Sequence, residues 1–115
     1  MEQIKMNYNV GNHTIVHEDS KAYNNYHHFV VKGSENQTIG NVDFQQGPIK
    51  EVGENGLSER DLLEIVKYRL ENFQKSPFAC TYNSDALNSI NNAIKFLDAR
   101  TADRTKRNVE GRNKI

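Results

Sequence analysis

The sequence predicts an α+β fold: a small N-terminal antiparallel β-sheet followed by a C-terminal antiparallel two-helix hairpin. Three observations carry this. Short runs of β-branched and aromatic residues are confined to the first half. Apolar residues recur at helical spacing in the second half. A segment with three glycines in ten residues, Gly47 to Gly56, joins the two halves. At 115 residues the chain is expected to be a single domain, 1–115. Its parts are a sheet over 1–46, a glycine-rich ligand loop over 47–57, a helical hairpin over 58–107 and a tail over 108–115.

Four strand candidates come first: Ile4 to Val10, His13 to His17, His28 to Lys32 and Thr38 to Phe44. Gly11-Asn12 suits a tight hairpin between the first two, and Gly33-Ser34-Glu35-Asn36 separates the last two. Residues 18–26, rich in Asp, Ser, Asn and Tyr, read as a longer loop. The first helix begins with a capping box of Ser58 and Asp61, flanked by Leu57 and Leu62 at hydrophobic-staple positions. Its stripe is Leu62, Leu63, Val66, Leu70 and Phe73, and Pro77 marks its end. The second helix is expected to start near Asn83 or Ser84 and run to about Arg107, with Ala86, Leu87, Ile90, Ala93, Ile94 and Leu97 as its apolar face. A linker this short makes the two helices an antiparallel pair.

Composition narrows the function. Hydrophobic residues are 36% of the chain and mean hydropathy is −0.82, so no run reaches membrane-spanning length. No signal peptide opens the sequence, and the expected place is the cytoplasm. The single cysteine, Cys80, excludes an internal disulfide and reads as a small buried residue. Net charge is zero, distributed as −3 over residues 1–56, −1 over 57–99 and +4 over 100–115. That pattern is unlike a general nucleic-acid binder, so no nucleic-acid partner is expected. His13, His17, His27 and His28 lack companions at ligand spacing, which argues against a metal site. No paired carboxylates and no Ser-His-Asp arrangement stand out. The inventory favours a binder over a catalyst, with no cofactor and no catalytic residue.

The residues suited to binding fall in three segments. Gly47, Gly53 and Gly56, with Lys50 between them, form a loop whose freed backbone can approach an anion closely. Phe78 and Tyr82 stand in the helix–helix linker, where an exposed ring can stack on a purine. Beside them Asn83, Asn88, Asn91 and Asn92 offer paired donors and acceptors. Arg100, Arg104 and Arg107, three and four apart, share one helix face and carry forks suited to phosphate. Each segment also has a plain structural reading: a turn, a plug at the end of the hairpin, a solvated face with surface pairs to Asp98 and Asp103.

The stretches Phe44-Gln-Gln-Gly-Pro-Ile-Lys-Glu-Val-Gly-Glu-Asn-Gly56, Pro77-Phe-Ala-Cys80 with Asn83, and Arg100-Thr-Ala-Asp-Arg104 followed by Arg107 and Val109-Glu-Gly111 resemble the phage Thoeris anti-defence proteins. Through their helical hairpin these are related to the phage anti-CBASS sponges. The resemblance covers roughly residues 28–111. It implies a non-enzymatic sponge that binds the cyclic ADP-ribose signal made by a TIR-domain protein on infection and so keeps the downstream effector inactive. It also implies a homo-oligomer, from dimer to hexamer, holding ligand between subunits; some members of the family also bind cyclic di- or trinucleotides at a separate interface. Lys50, Phe78, Asn83, Arg100, Arg104 and Arg107 match the family pattern. Thr81-Tyr82 stands where many relatives have Arg-Glu, and Ala102 where they often have a second arginine. Both departures bear on which signal isomer binds. The rival classes are a small phage nucleic-acid-binding protein, marked by strong salt dependence, and a phosphodiesterase that destroys the signal, marked by turnover.

Overall fold

The structure, a computed structural model, describes residues 2–8, 11–17 and 26–108. The chain divides into two compact units, Met1–Leu57 and Ser58–Ile115.

The first unit is an antiparallel meander of four strands in sequence order, β1 (Glu2–Tyr8), β2 (Gly11–His17), β3 (His28–Lys32) and β4 (Thr38–Asp43). The Gly11-Asn12 pair lies inside β2, with Tyr8 opposite Gly11 and Asn7 opposite Asn12, and does not form the expected turn between strands. The connection at 9–10 and most of the expected loop at 18–26 lie outside the described residues. The turn from β3 to β4 closes with the Gly33 N–H on the Gln37 carbonyl at 2.8 Å and the Asn36 N–H on the Gly33 carbonyl at 3.0 Å. Asn36 takes the left-handed conformation there, φ 63°, which asparagine tolerates better than most residues. Among the described residues, Val16 and His17 are the deeply buried side chains of the unit. The His17 ring lies 4.3 Å from that of Tyr26 and 5.7 Å from that of Phe29, and Phe29 meets Phe44 edge-on at 5.8 Å.

The expected two helices after the sheet are corrected to three among the described residues. A four-residue helix, α1 (Ile49–Val52), stands inside the segment read as a glycine-rich loop. Pro48, with φ −68°, precedes it and receives the Glu51 and Val52 N–H groups at 3.0 and 2.9 Å. Proline's fixed φ prepares a helix start as readily as it breaks a helix interior. Gly53, at φ 81°, ends the turn where a side chain would be strained. Two carboxamides then fasten the segment. Gln45 donates to the Gly47 and Gly53 carbonyls at 2.9 and 2.8 Å and accepts from the Asn55 N–H at 2.9 Å. Asn55 accepts from the Gln46 N–H and donates to the Gln46 carbonyl, each at 2.8 Å. Phe44 and Leu57 pair in parallel beyond this clamp.

The second unit holds α2 (Glu59–Gln74) and α3 (Thr81–Lys106). The capping box forms as read: the Asp61 N–H donates to the Ser58 hydroxyl at 3.1 Å, and the Ser58 N–H donates to the Asp61 carboxylate at 2.8 Å. Arg60 near the start of α2 binds Asp98 near the end of α3, at 2.6 and 3.2 Å, so the two helices run antiparallel. Helix α3 starts at Thr81, ahead of the expected Asn83 or Ser84. Its cap comes from across the turn: Gln74 accepts from the Cys80 N–H at 3.0 Å and donates to the Cys80 carbonyl at 3.1 Å and the Ser84 hydroxyl at 3.0 Å. Cys80 is exposed, not buried, because it caps α3 at the end of the pair and not within the seam. Among the described residues, Ile94 is the deeply buried apolar residue of this unit.

Two outcomes test this account. At Gly56 an added Cβ would lie 2.5 Å from the Phe44 carbonyl carbon and 2.7 Å from the Gln45 nitrogen, both backbone atoms. Gly56→Ala should therefore destabilise the first unit by about 1–3 kcal/mol, the usual effect of overpacking; chemical denaturation with an unchanged midpoint would contradict it. The Arg60 hydrogen bond holds the Asp98 carboxyl below the usual carboxylate range. A carboxyl lowered in the folded state stabilises at pH values above its unfolded pKa and loses that effect as pH falls through its folded one. Melting curves of wild type and Asp98→Asn should thus differ at neutral pH and converge in strong acid. A constant difference across the acid range would mean the pair is electrostatically silent.

Candidate functional site

The expected binding residues separate by unit. Gly47, Lys50, Gly53 and Gly56 belong to the first. Here the glycines answer to backbone geometry: Gly47 and Gly53 hold φ of 88° and 81°, and Gly56 passes against the Phe44 backbone. The amide groups of Gln46, Glu51, Val52, Gly53 and Asn55 are all donated within the segment. These bonds make part of the loop a hydrogen-bonded scaffold. Lys50 stands exposed on α1.

Phe78, Tyr82 and Asn83 gather at the turn of the hairpin. Phe78 and Tyr82 are 74% and 85% exposed, so neither plugs the hairpin core. The Asn83 carboxamide donates to the Phe78 carbonyl at 3.4 Å. Ser76 fixes the turn, with its hydroxyl on the Phe73 carbonyl at 2.6 Å and receiving the Phe78 N–H at 3.1 Å.

Asn88 and Asn92 line a groove of about 530 Å³ together with Lys67, Asn91, Ile94 and Lys95. The amide and ammonium groups bordering it carry no protein partner among the described residues. Lys67 arrives from α2 and had no signal in its own neighbourhood. Lys95 was legible, since 88, 92 and 95 repeat at helical spacing.

Arg100 and Arg104 lie on the last turns of α3, and Arg107 is its C-cap. Arg107 binds Asp103 at 3.1 Å, an i,i+4 surface pair. Asp98, the other acid expected to pair with these arginines, is taken by Arg60. At 3.6 residues per turn, Arg100, Arg104 and Arg107 fall about 100–160° round α3 from Asn88. Tyr82 and Arg104 are separated by about 33 Å of helix. The expected residues of α3 therefore make three patches and not one.

Among the described residues no group of three His, Cys, Asp or Glu is placed to hold a metal ion. No helix among them is long and apolar enough to cross a membrane.

Comparison with known proteins matches these elements to a described domain. Residues 37–102 fit the family model of the Acb2/Tad1 hairpin domain. Over 73 residues the chain is 42% identical to a protein of Bacillus phage SBSphiJ7 named Thoeris anti-defense 1. That alignment takes in 64% of this chain and 51% of the relative, so the chain spans about half the length of the curated relative it matches. The family match runs from β4 through the clamped segment, α1 and α2 into α3, taking in every expected binding residue except Arg104 and Arg107. Since it covers more than half of the 115 residues, this chain belongs to the Acb2/Tad1 hairpin-domain family.

Proposed function

We propose that this protein is a phage anti-defence protein that binds and sequesters a cyclic ADP-ribose immune signal, denying it to the Thoeris effector. It acts by binding and not by catalysis. The observation that carries the reading is the set of aromatic, amide and cationic side chains left facing solvent along the hairpin: Phe78 and Tyr82, the Asn88–Asn92 groove with its two lysines, and Arg100. A cyclic ADP-ribose presents a purine face, ribose hydroxyls and a diphosphate. Rings stack on the first, carboxamides read the second, and guanidinium or ammonium groups hold the third. Family membership and the name of the phage relative support the anti-defence role.

The spacing of these patches leads to a second part of the proposal. A ring of two sugars and one purine is far shorter than the helix between Tyr82 and Arg104. One ligand meets both only if they come from two copies of the chain. Exposed Ile65, Tyr68 and Phe96 on α2 and α3 supply apolar surface for such an assembly. The protein is therefore read as a homo-oligomer, with the host cytoplasm as its place of action. Cyclic di- or trinucleotides are further candidate ligands.

Uptake is tested with a panel of cyclic ADP-ribose isomers, followed by heat release and mass analysis. The melting temperature should rise with ligand dose, and the released compound should be intact. Recovery of linear ADP-ribose above background would make the protein an enzyme.

Shared pockets are tested by pairing variants. Arg104→Ala should remove a charge-assisted hydrogen bond of about 1.5–3 kcal/mol, a roughly 10- to 150-fold loss of affinity. Phe78→Ala should also weaken binding. In a two-fold dimer, a co-refolded mixture of the two variants regains about a quarter of the wild-type pockets, because each mixed dimer keeps one intact site. Calorimetry showing no recovery in the mixture would place both residues in one chain's pocket. Wild-type affinity in Arg104→Ala would remove it from the site.

A further inference from the structure

A cleft of about 450 Å³ in the first unit is bordered by His27, His28, Asp43, Phe44, Gln46 and Asn55. None of these belongs to the surface assigned above. We propose that this cleft is a second binding site, for the vicinal diol of a phosphate-free ribosyl group such as a nucleoside.

The cleft is built from fixed parts. The β3–β4 register sets His28 opposite Asp43, and the His28 Nδ1 atom pairs with the Asp43 carboxylate. The Phe44 N–H donates to the His27 carbonyl at 2.7 Å, which carries the pairing one step past the named strands. On the other side Asn55 holds the Gln46 backbone through both its N–H and its carbonyl. His27 and His28 would face opposite ways within a strand. His27 lies just ahead of β3, and both residues border the same cleft.

The chemistry on offer selects the ligand. The Asp43 side chain is 66% exposed and engages His28 through one oxygen, which leaves the other open to accept. The Gln46 carboxamide makes no hydrogen bond among the described residues and brings a donor and an acceptor. Among the described residues no lysine or arginine borders the cleft, and a carboxylate does, so a phosphate is disfavoured. A hydroxyl both donates and accepts. Two adjacent hydroxyls match a carboxylate oxygen and a neighbouring carboxamide, and the Phe44 ring gives the C–H face of the sugar an apolar wall. The volume is within the range that holds a small organic ligand.

This proposal stands apart from the sequestration reading: its ligand carries no phosphate and its residues lie in the other unit. The test uses the full chain labelled with ¹⁵N and titrated with adenosine or with 2′,3′-dideoxyadenosine. With adenosine, the side-chain amide signals of Gln46 and Asn55 and the backbone signals of Asp43 and Phe44 should shift and saturate at millimolar nucleoside. Loss of the diol, or Asp43→Asn in a chain whose spectrum shows it folded, should weaken binding at least about tenfold. Equal binding of the two nucleosides by the wild type would overturn the proposal, as would shifts confined to the hairpin or none at all.

Discussion

Two antiparallel helices can bury only the seam between them. That constraint governs the hairpin. Ile94 is sealed in the seam, and Arg60 and Asp98 tie its open end. Everything else on α2 and α3 faces outward to some degree, including the large apolar side chains Ile65, Val66, Tyr68 and Phe96. Full burial of one such side chain stabilises by about 1.5–3 kcal/mol. A hairpin with this much apolar surface in water has a strong reason to associate. The same exposure leaves rings, amides and cations open to solvent. Thin burial and an outward-facing aromatic and polar surface are two results of one geometry.

The first unit answers the same shortage of core by hydrogen bonding. Gln45 and Asn55 sit ten positions apart; the Asn55 N–H donates to the Gln45 carboxamide, and both carboxamides bond the backbone of the segment between them. Polar backbone groups that would otherwise depend on water are satisfied internally. The close pass of Gly56 against the Phe44 backbone is what lets the segment return to the sheet edge.

Much of the local structure was legible because its causes are local. β-branched runs marked the strands, and Ser58 with Asp61 marked the start of α2 within four residues of sequence. What escaped depends on residues far apart or on competing uses of one residue type. Pro48 followed by Gly53 reads as a loop, yet it brackets a turn of helix. The start of α3 is set by Gln74, which belongs to the preceding helix, so no local cap announced it. Gly11-Asn12 has turn chemistry but is paired within a strand. In the candidate site, the residue types were visible and their grouping was not. Arginines and asparagines spread over many turns look like one set in sequence, while helix rotation and rise distribute them over different faces. Lys67 joins the asparagine groove only through the pairing of two helices. The His28–Asp43 pair likewise required the β3–β4 register.

The Gln74 cap has a consequence for variation. The turn backbone is held by Ser76 and by a carboxamide rooted in α2. The side chains of Pro77, Phe78 and Ala79 contribute no hydrogen bond to it, and Phe78 projects into solvent. The apex of the hairpin is thus uncoupled from the stability of the helices it joins. Substitutions there alter what the apex presents without unfolding its support. The surface shown at these three positions can therefore change in sequence while the joint beneath it stays the same.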